Sequence, residues 1–328
     1  MEARILTLAA VLCGLVVPAP AQDLVARGND HYFNLEHDEA LADYYRAMRA
    51  DGPSAALWNH IATALLYKEL TRLGKLETSA FRGDNSFLGE AKPEPDPEAN
   101  EKFLGALYEA RRLAEADLAK KPGDPGALFS LSSNYALQAN YEFMIEKSYF
   151  AALRNGSKAR KYSEDLIKED PKFVDGYLVP GVQEYVVGSL PWAVKVLAAM
   201  GGVRGSKEKG EEWVERVADE GTHMQTEAKV LLTLLYRREN RPMDAVHVLE
   251  DLIRKYPRNY VLQLEMGSML LDAQEKQRGL EVFQRTREMV RENQHRFGRM
   301  PERLQKALDR KIEELQESGA QVAADRAE

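Results

Sequence analysis

The sequence has little of three things: cysteine, net positive charge and long apolar runs. Cys13 is the only cysteine in 328 residues and lies within an N-terminal apolar run. The rest of the chain therefore cannot form a disulfide, a thiolate metal site or a cysteine nucleophile. The 45 Lys and Arg residues stand against 52 Asp and Glu, a formal net charge of -7, which argues against non-specific nucleic-acid binding. After the N-terminal run no segment approaches the length of a transmembrane helix, which predicts a soluble mature chain.

The N-terminus has the composition of a signal peptide. Arg4 is followed by an apolar run from Ile5 to Val17 and then by Pro18-Ala19-Pro20-Ala21, which ends in an Ala-x-Ala site. We therefore predict a signal peptide over 1–21, cleaved after Ala21, and a periplasmic or secreted protein. The run is too short for an ordinary membrane span, and a retained signal anchor is the alternative.

A period of 34 residues organises the C-terminal half of the chain. Leu232 and Leu249 recur as Met266 and Phe283, each 34 residues later, within the region 226–293. Small residues occupy positions where two helices must approach closely, and Pro257 would end the second helix of the first unit. The period and pattern predict stacked helix hairpins.

The same frame recurs at the start of the predicted mature chain. The order small, small, aromatic, small and proline recurs at Gly28, Ala40, Tyr44, Ala47 and Pro53. The opening of the next unit matches less strictly, at Trp58, Ile61, Ala62 and Leu65. With these motifs the sequence resembles the tetratricopeptide-repeat (TPR) superfamily over most of its length, most clearly at its two ends. The resemblance implies an all-α fold, an α-solenoid of about six TPR-like helix pairs, named helices A and B within each pair.

In the second, third and fourth units helix B begins late, which predicts insertions between helices A and B. In the second unit helix A is expected at 54–73 and helix B near 98–120. The predicted insertions are 74–97, an aromatic-rich stretch at 140–155 that extends the helices, and 189–205. Insertions at equivalent A–B turns gather on one edge of a solenoid. The alternative is that the middle helices are longer and differently paired.

The third insertion is similar to the central block of the Iml (inclusion-body clearance) type TPR family. The similarity lies in Ser189-Leu190-Pro191, an apolar segment, Gly201-Gly202 with Gly205, and Gly210. It covers about 180–220 and lacks an aromatic residue after the glycine. It implies an adaptor-like protein.

The end of the sequence has the pattern of an amphipathic helix over 300–316 with a stripe of Leu304, Leu308, Ile312 and Leu315. Such a helix caps the open end of a solenoid. The predicted domains are thus the signal peptide, a TPR-like α-solenoid over 22–317 and a disordered tail over 318–328.

No pattern in the sequence indicates a reaction centre. Nucleophile elbows, phosphate-binding loops and dinucleotide fingerprints are absent, and none of the six histidines stands in a metal-binding motif. We therefore predict a protein that is not an enzyme, without a metal or another cofactor.

The remaining candidate site is the concave groove lined by the A helices. Placing the usual groove positions of a TPR unit on this sequence selects Asn59, Thr63, Tyr67, Phe129, Ser133, Leu137, Leu178, Val182, Tyr185, Val230, Leu234, Arg237, Arg238, Leu264, Ser268 and Asp272. These side chains would suit a protein or peptide partner or a small apolar ligand, or they would pack against one another in a tightly wound superhelix.

The apolar stretch of the third insertion offers a second candidate surface. Trp192, Val196 and Met200 would cover the groove or touch a membrane surface, and cover is favoured because only Lys195 supplies charge there. The sequence therefore predicts a protein- or peptide-binding adaptor or scaffold of the cell envelope, with the ligand-binding component of an envelope solute-transport system as the alternative.

Overall fold

A computed structural model describes residues 21–75, 92–190 and 205–325, and the regular structure in these ranges is entirely helical. The helices form six antiparallel pairs, which we number units 1 to 6. The pairs are α1 (Ala21–Phe33) with α2 (His37–Asp51), α3 (Ala55–Arg72) with α4 (Pro97–Lys120), α5 (Pro125–Met144) with α6 (Tyr149–Glu169), α7 (Leu178–Gly188) with α8 (Lys207–Glu220), α9 (Gln225–Arg238) with α10 (Pro242–Lys255), and α11 (Tyr260–Asp272) with α12 (Lys276–Arg291). The predicted solenoid of about six helix pairs is confirmed.

Two short 3₁₀ segments and a final helix complete the chain. Val174–Tyr177 leads into α7, and Gln294–Arg299 leads into α13 (Glu302–Asp325). On α13, Leu308 and Ile312 are buried against Phe283 of α12, as expected of a capping helix. The sequence placed the end of this helix at 316 and a disordered tail from 318, whereas helical backbone continues to Asp325.

Local sequence signals account for the helix starts. Asp96 and Asp124 each accept a hydrogen bond from the backbone N–H three residues on, and each precedes a proline at the first helical position. Ser54 and Ser206 cap α3 and α8 in the same way. These local contacts fix where four helices begin, α3 and α5 at the start of a hairpin and α4 and α8 as the second helix of one.

Within units 1 and 6 the same contact closes the hairpin. A Cβ atom added to Gly28 would lie 2.5 Å from the ring of Tyr44, and one added to Gly267 would lie 2.4 Å from the ring of Phe283. Tyr44 follows Gly28 by 16 residues, and Phe283 follows Gly267 by the same number. The structural repeat therefore coincides with the sequence repeat.

The three predicted insertions have different outcomes. Unit 2 has a long connection between α3 and α4, of which 76–91 lies outside the described residues, and unit 4 has one between α7 and α8, of which 191–204 lies outside. In unit 3, α5 ends at Met144 and α6 starts at Tyr149, so 140–155 lengthens the two helices around a short turn. Tyr141 from this stretch is buried, whereas Phe150 is 89% exposed and does not pack.

The superhelix is wound so tightly that its last units return over its first. The ring of Phe33, at the end of α1, lies 4.9 Å from the ring of Tyr256 in the turn between units 5 and 6. Asn259 donates a hydrogen bond to the carbonyl of Phe33 at 2.7 Å, and Arg303 of α13 donates to the carbonyl of Thr71 at 2.8 Å. The edge carrying the A–B turns of units 1 and 2 thus packs against the opposite edge of units 5 and 6.

Candidate interaction surfaces

A buried carboxylate holds the two ends of the superhelix together. Glu36, in the turn between α1 and α2, has no exposed side-chain surface and accepts hydrogen bonds from Arg258 at 3.1 Å, Arg296 at 2.7 Å and His31 at 2.5 Å. Burial alone would raise the pKa of Glu36, but these hydrogen bonds and the charge of Arg299 lower it to about 2. Glu36 is therefore ionised at every physiological pH.

A second carboxylate lies on the axis of the superhelix without such partners. Burial raises the pKa of Tyr32 and Tyr67 of units 1 and 2, and the charge of Glu227, in the first turn of α9, raises both further. The Oε2 atom of Glu227 is buried and has no hydrogen-bond partner among the described residues. Burial raises the pKa of Glu227 to about 7, and Asp175 adds to this rise.

Three of the predicted groove residues are buried between helices instead of lining a groove. Asn59 donates to the carbonyl of Ser130 at 2.8 Å and so joins α3 to α5. Leu178 lies in the core of units 4 to 6, and the hydroxyl of Tyr185 donates to Glu239 at 2.6 Å. These side chains stabilise contacts between helices.

Six further predicted positions are half-buried along the narrow axis: Thr63, Tyr67, Phe129, Ser133, Leu137 and Val182. The ring of Phe129 lies 5.6 Å from that of His223, and the ring of Tyr67 lies 5.6 Å from that of Tyr32. The first half of the concave face is therefore occupied by side chains of the chain itself.

The concave face opens toward the far ends of α9 and α11. Val230 is 38% exposed, Leu234, Leu264 and Ser268 are half-buried, and Arg238 and Asp272 are exposed. Arg237 bridges the two helices, because its guanidinium lies 3.1 Å from Glu265 and 2.9 Å from Asp272. Despite this partner, burial raises the pKa of Glu265 to about 7.

Two recesses lie on the edge that carries the A–B turns of units 4 to 6, which we name the free A–B edge. One, of about 520 Å³, lies between units 4 and 5 and is lined by Gly188, Ser189, Gly205, Ser206, Lys207, Glu208, Arg238 and Glu239. The other, of about 370 Å³, lies between the A–B turns of units 5 and 6 and includes Arg241 and Asp272. The first is lined mainly by polar groups, whereas the second also includes Pro242, Met243 and Ala273.

Glycines bring the two ends of the third insertion together. A Cβ atom added to Gly188 would lie 2.4 Å from the backbone of Lys207, and one added to Gly205 would lie 2.6 Å from the carbonyl of Glu184. The insertion therefore leaves and rejoins the unit 4 hairpin at one point on the A–B edge. Trp192, Val196 and Met200 lie outside the described residues, as does most of the block that resembles the Iml family.

The histidines are scattered. His37 and His60 are enclosed by protein, and burial lowers the pKa of each to about 4, so both are neutral at physiological pH. Over 21–75, 92–190 and 205–325 no three His, Cys, Asp or Glu side chains converge as a metal site. No helix in the described part of the chain is long and apolar enough to span a bilayer.

Sequence reasoning missed the exposed apolar side chains on the outside of the solenoid. Leu104 and Tyr108 of α4 are 43% and 65% exposed, and Leu153 of α6 is 68% exposed. The helical stripe of α4 could have indicated the first pair, because Tyr108 lies outside the buried stripe and Leu104 lies at its flank.

These features define a class of protein, a tightly wound superhelix of helix hairpins closed by a capping helix. Similar solved structures include a thermophilic TPR protein of Thermus thermophilus, with 16% identity, a TM-score of 0.41 and coverage of 76% of this chain and 99% of that one. A TPR protein of Parabacteroides merdae has 16% identity, a TM-score of 0.35 and coverage of 90% and 98%. The TPR2AB domain of yeast Sti1, in complex with pHSP90, has 17% identity, a TM-score of 0.18 and coverage of 90% and 96%.

At these identities and TM-scores the fold assignment rests on the repeat geometry of the chain itself. No protein-family model matches the sequence, and no curated protein is significantly similar to it.

Proposed function

We propose that this chain is an exported, non-enzymatic adaptor or scaffold that holds a protein or peptide partner in the cell envelope. Export rests on the signal-peptide pattern of 1–21 in the sequence. Partner binding rests on one observation, the open end of the concave face. There Val230, Leu234 and Arg238 follow one another at one-turn spacing along α9, with Val230 and Arg238 exposed, and Asp272 of α11 pairs with Arg237 near the free A–B edge. Apolar side chains flanked by charged ones are typical of protein interfaces.

The closed winding limits how a partner binds. Units 5 and 6 stand over units 1 and 2, so a peptide cannot run through the whole concave face without separating them. We therefore expect a partner segment to lie across the free A–B edge and to reach inward along α9 and α11.

A photo-crosslinking residue placed at position 230 or 238 tests this proposal in cells. We expect the residue at either position to form an adduct with the same protein. The matched control is position 250 on the outside of α10, where Glu250 is exposed and where we expect no adduct. With that partner purified, Val230→Glu should weaken binding by about tenfold or more, as for a residue at the centre of an interface. Equal adducts at 230, 238 and 250, or unchanged binding by the variant, would refute the site.

The alternative function, a ligand-binding component of an envelope transport system, is favoured by the larger recess on the A–B edge. Its volume of about 520 Å³ lies within the range of small-molecule sites, and Arg238 would bind an anionic group there, whereas Lys207 already pairs with Glu239. A thermal-shift screen of small organic acids should then reveal a ligand whose stabilisation is lost in Arg238→Ala. A screen without any stabilising compound would leave the adaptor as the sole proposal.

A further inference from the structure

The outer face of α4 has a stripe of exposed residues that the fold of one chain does not use. The inner face of α4 buries Phe103, Ala106 and Leu107 against α3. Leu104, at the flank of this face, is 43% exposed, and Tyr108, one helical turn later and farther round the helix, is 65% exposed. Glu101 precedes this pair by one turn and Arg112 follows it by one turn, and both are exposed.

Gly105 lies between Leu104 and Tyr108 along the helix axis, and no contact of the described residues requires a glycine there. A Cβ atom added to Gly105 would meet no heavy atom within 4 Å, whereas one added to Gly28 would collide with Tyr44. A glycine inside a helix costs about 0.5–1 kcal/mol relative to alanine. The fold of a single chain would therefore be more stable with alanine at 105, and glycine there leaves a shallow notch beside Tyr108.

The stripe is complementary to itself. A two-fold axis outside α4 and perpendicular to it, at the level midway between residues 106 and 107, would place residue 105 of one helix opposite 108 of an antiparallel copy, and 101 opposite 112. Tyr108 of each copy would then enter the notch at Gly105 of the other. Glu101 of each copy would face Arg112 of the other, so the contact would contain two opposite-charge pairs. Two-fold contacts of this kind are the commonest in homo-oligomers.

We propose that the outer face of α4 is the interface of a homodimer, formed by Leu104, Gly105 and Tyr108 with Glu101 and Arg112 at its margins. In the single chain Arg112 pairs with Glu109 at 2.8 Å, an exposed pair of low stability that dimerisation can exchange. Farther out, Glu98 would face Glu115 of the other copy. The helices are therefore expected to cross at an angle, which confines contact to the central turns.

Sedimentation equilibrium of the purified protein over micromolar concentrations tests the proposal. We expect a reversible dimer whose dissociation constant rises by about tenfold or more in Tyr108→Ala and in Gly105→Leu, because both changes remove the fit at the centre of the interface. Gly105→Leu meets open space in the single chain and exchanges a glycine for a good helix former, so its helix content should stay unchanged. Leu153→Ala, at an exposed apolar position of α6, is the control and should leave dimerisation unchanged.

The charge pairs allow a test that depends on orientation. Glu101→Arg and Arg112→Glu should each weaken the dimer, because each places two like charges opposite each other across the two-fold axis. The variant that carries both substitutions should restore the dimer, because it restores the opposite-charge pairs. A protein that stays monomeric at all concentrations would overturn the proposal, even if α4 contacts another protein. A dimer insensitive to Gly105→Leu, or one that the double variant does not restore, would overturn it as well.

Discussion

Glu36 and Glu227 are carboxylates enclosed by the same closed superhelix, yet their surroundings give them opposite pKa shifts. Glu36 is surrounded by arginines of units 5 and 6 and of the segment before α13, so its charged form is favoured in spite of burial. For Glu227 burial raises the pKa and Asp175 raises it further, while Lys255 lowers it too little to compensate, so its neutral form is favoured. Sequence alone gives no difference between them, because the partners come from distant parts of the chain.

We expect Glu227 to make stability depend on pH. Its pKa of about 7 in the folded protein lies above the ordinary value of 4.5, so its stabilising contribution is complete below pH 4.5 and is lost as pH rises through 7. Glu227→Gln removes that loss. The variant should therefore gain about 1–3 kcal/mol relative to the parent between pH 5 and pH 8, measured by denaturant unfolding at both values.

The exposed Glu250 of α10 provides the control for this measurement, since Glu250→Gln should change stability equally at both pH values. If Glu227→Gln behaved like Glu250→Gln, Glu227 would have to be ionised in the folded protein, and its enclosure on the superhelix axis would be wrong.

At the scale of elements, glycines decide how closely paired helices approach. The α7–α8 pair is the clearest case, because Gly210 of α8 lies directly against the backbone of α7. The sequence indicated Gly210 as part of the block similar to the Iml family. Its necessity became visible with the backbone distances.

Gly210→Ala should destabilise the protein, because the added Cβ atom would lie 2.3 Å from the backbone nitrogen of Tyr185 and the helices would have to separate. The expected loss is about 1–3 kcal/mol or more, as for other overpacked cores. Thermal and denaturant unfolding measure it.

Gly105→Ala is the matched control, since the same change meets open space on α4 and should stabilise the chain by about 0.5–1 kcal/mol when measured at low protein concentration. Equal effects of the two substitutions would contradict the close approach of α7 and α8.

At the scale of the whole molecule, the return of units 5 and 6 over units 1 and 2 distinguishes this chain from an open solenoid. The contact combines the ring pair of Phe33 and Tyr256 with the arginines around Glu36. An open solenoid is stabilised by contacts between neighbouring units only, whereas here the first and last units also stabilise each other.

Glu36→Gln should loosen this closure. Removing one partner of a buried ion pair typically costs about 3–5 kcal/mol, and here it would leave the guanidinium groups of Arg258, Arg296 and Arg299 with too little negative charge. We expect a larger radius of gyration by small-angle X-ray scattering, with helix content by circular dichroism unchanged because each hairpin keeps its own core.

Glu39→Gln is the control for the closure, because Glu39 pairs with Arg296 at the exposed margin of the same contact and should matter little. A radius of gyration that stays the same in Glu36→Gln, or rises equally in both variants, would show that Glu36 does not hold the ends together.

The sequence by itself determined the helix hairpins at the two ends of the chain and the approximate number of units, and it left the pairing of the middle helices open. The 34-residue period, the caps at Asp96 and Asp124 and the close pair of Gly28 with Tyr44 are local or nearly local features, so composition and spacing suffice to predict them. The same local reasoning predicted the groove positions on each A helix without knowing what would face them.

Only the tertiary structure decided which of those positions remain accessible. Small rotations between successive units add up along the chain, and their sum determines whether the ends separate or meet. Because they meet at Phe33, Glu36 and Tyr256, Tyr67 and Phe129 are enclosed while Val230 and Arg238 stay accessible. A contact between residues more than 200 positions apart has no signal in the spacing of a 34-residue repeat, which is why it had to be observed.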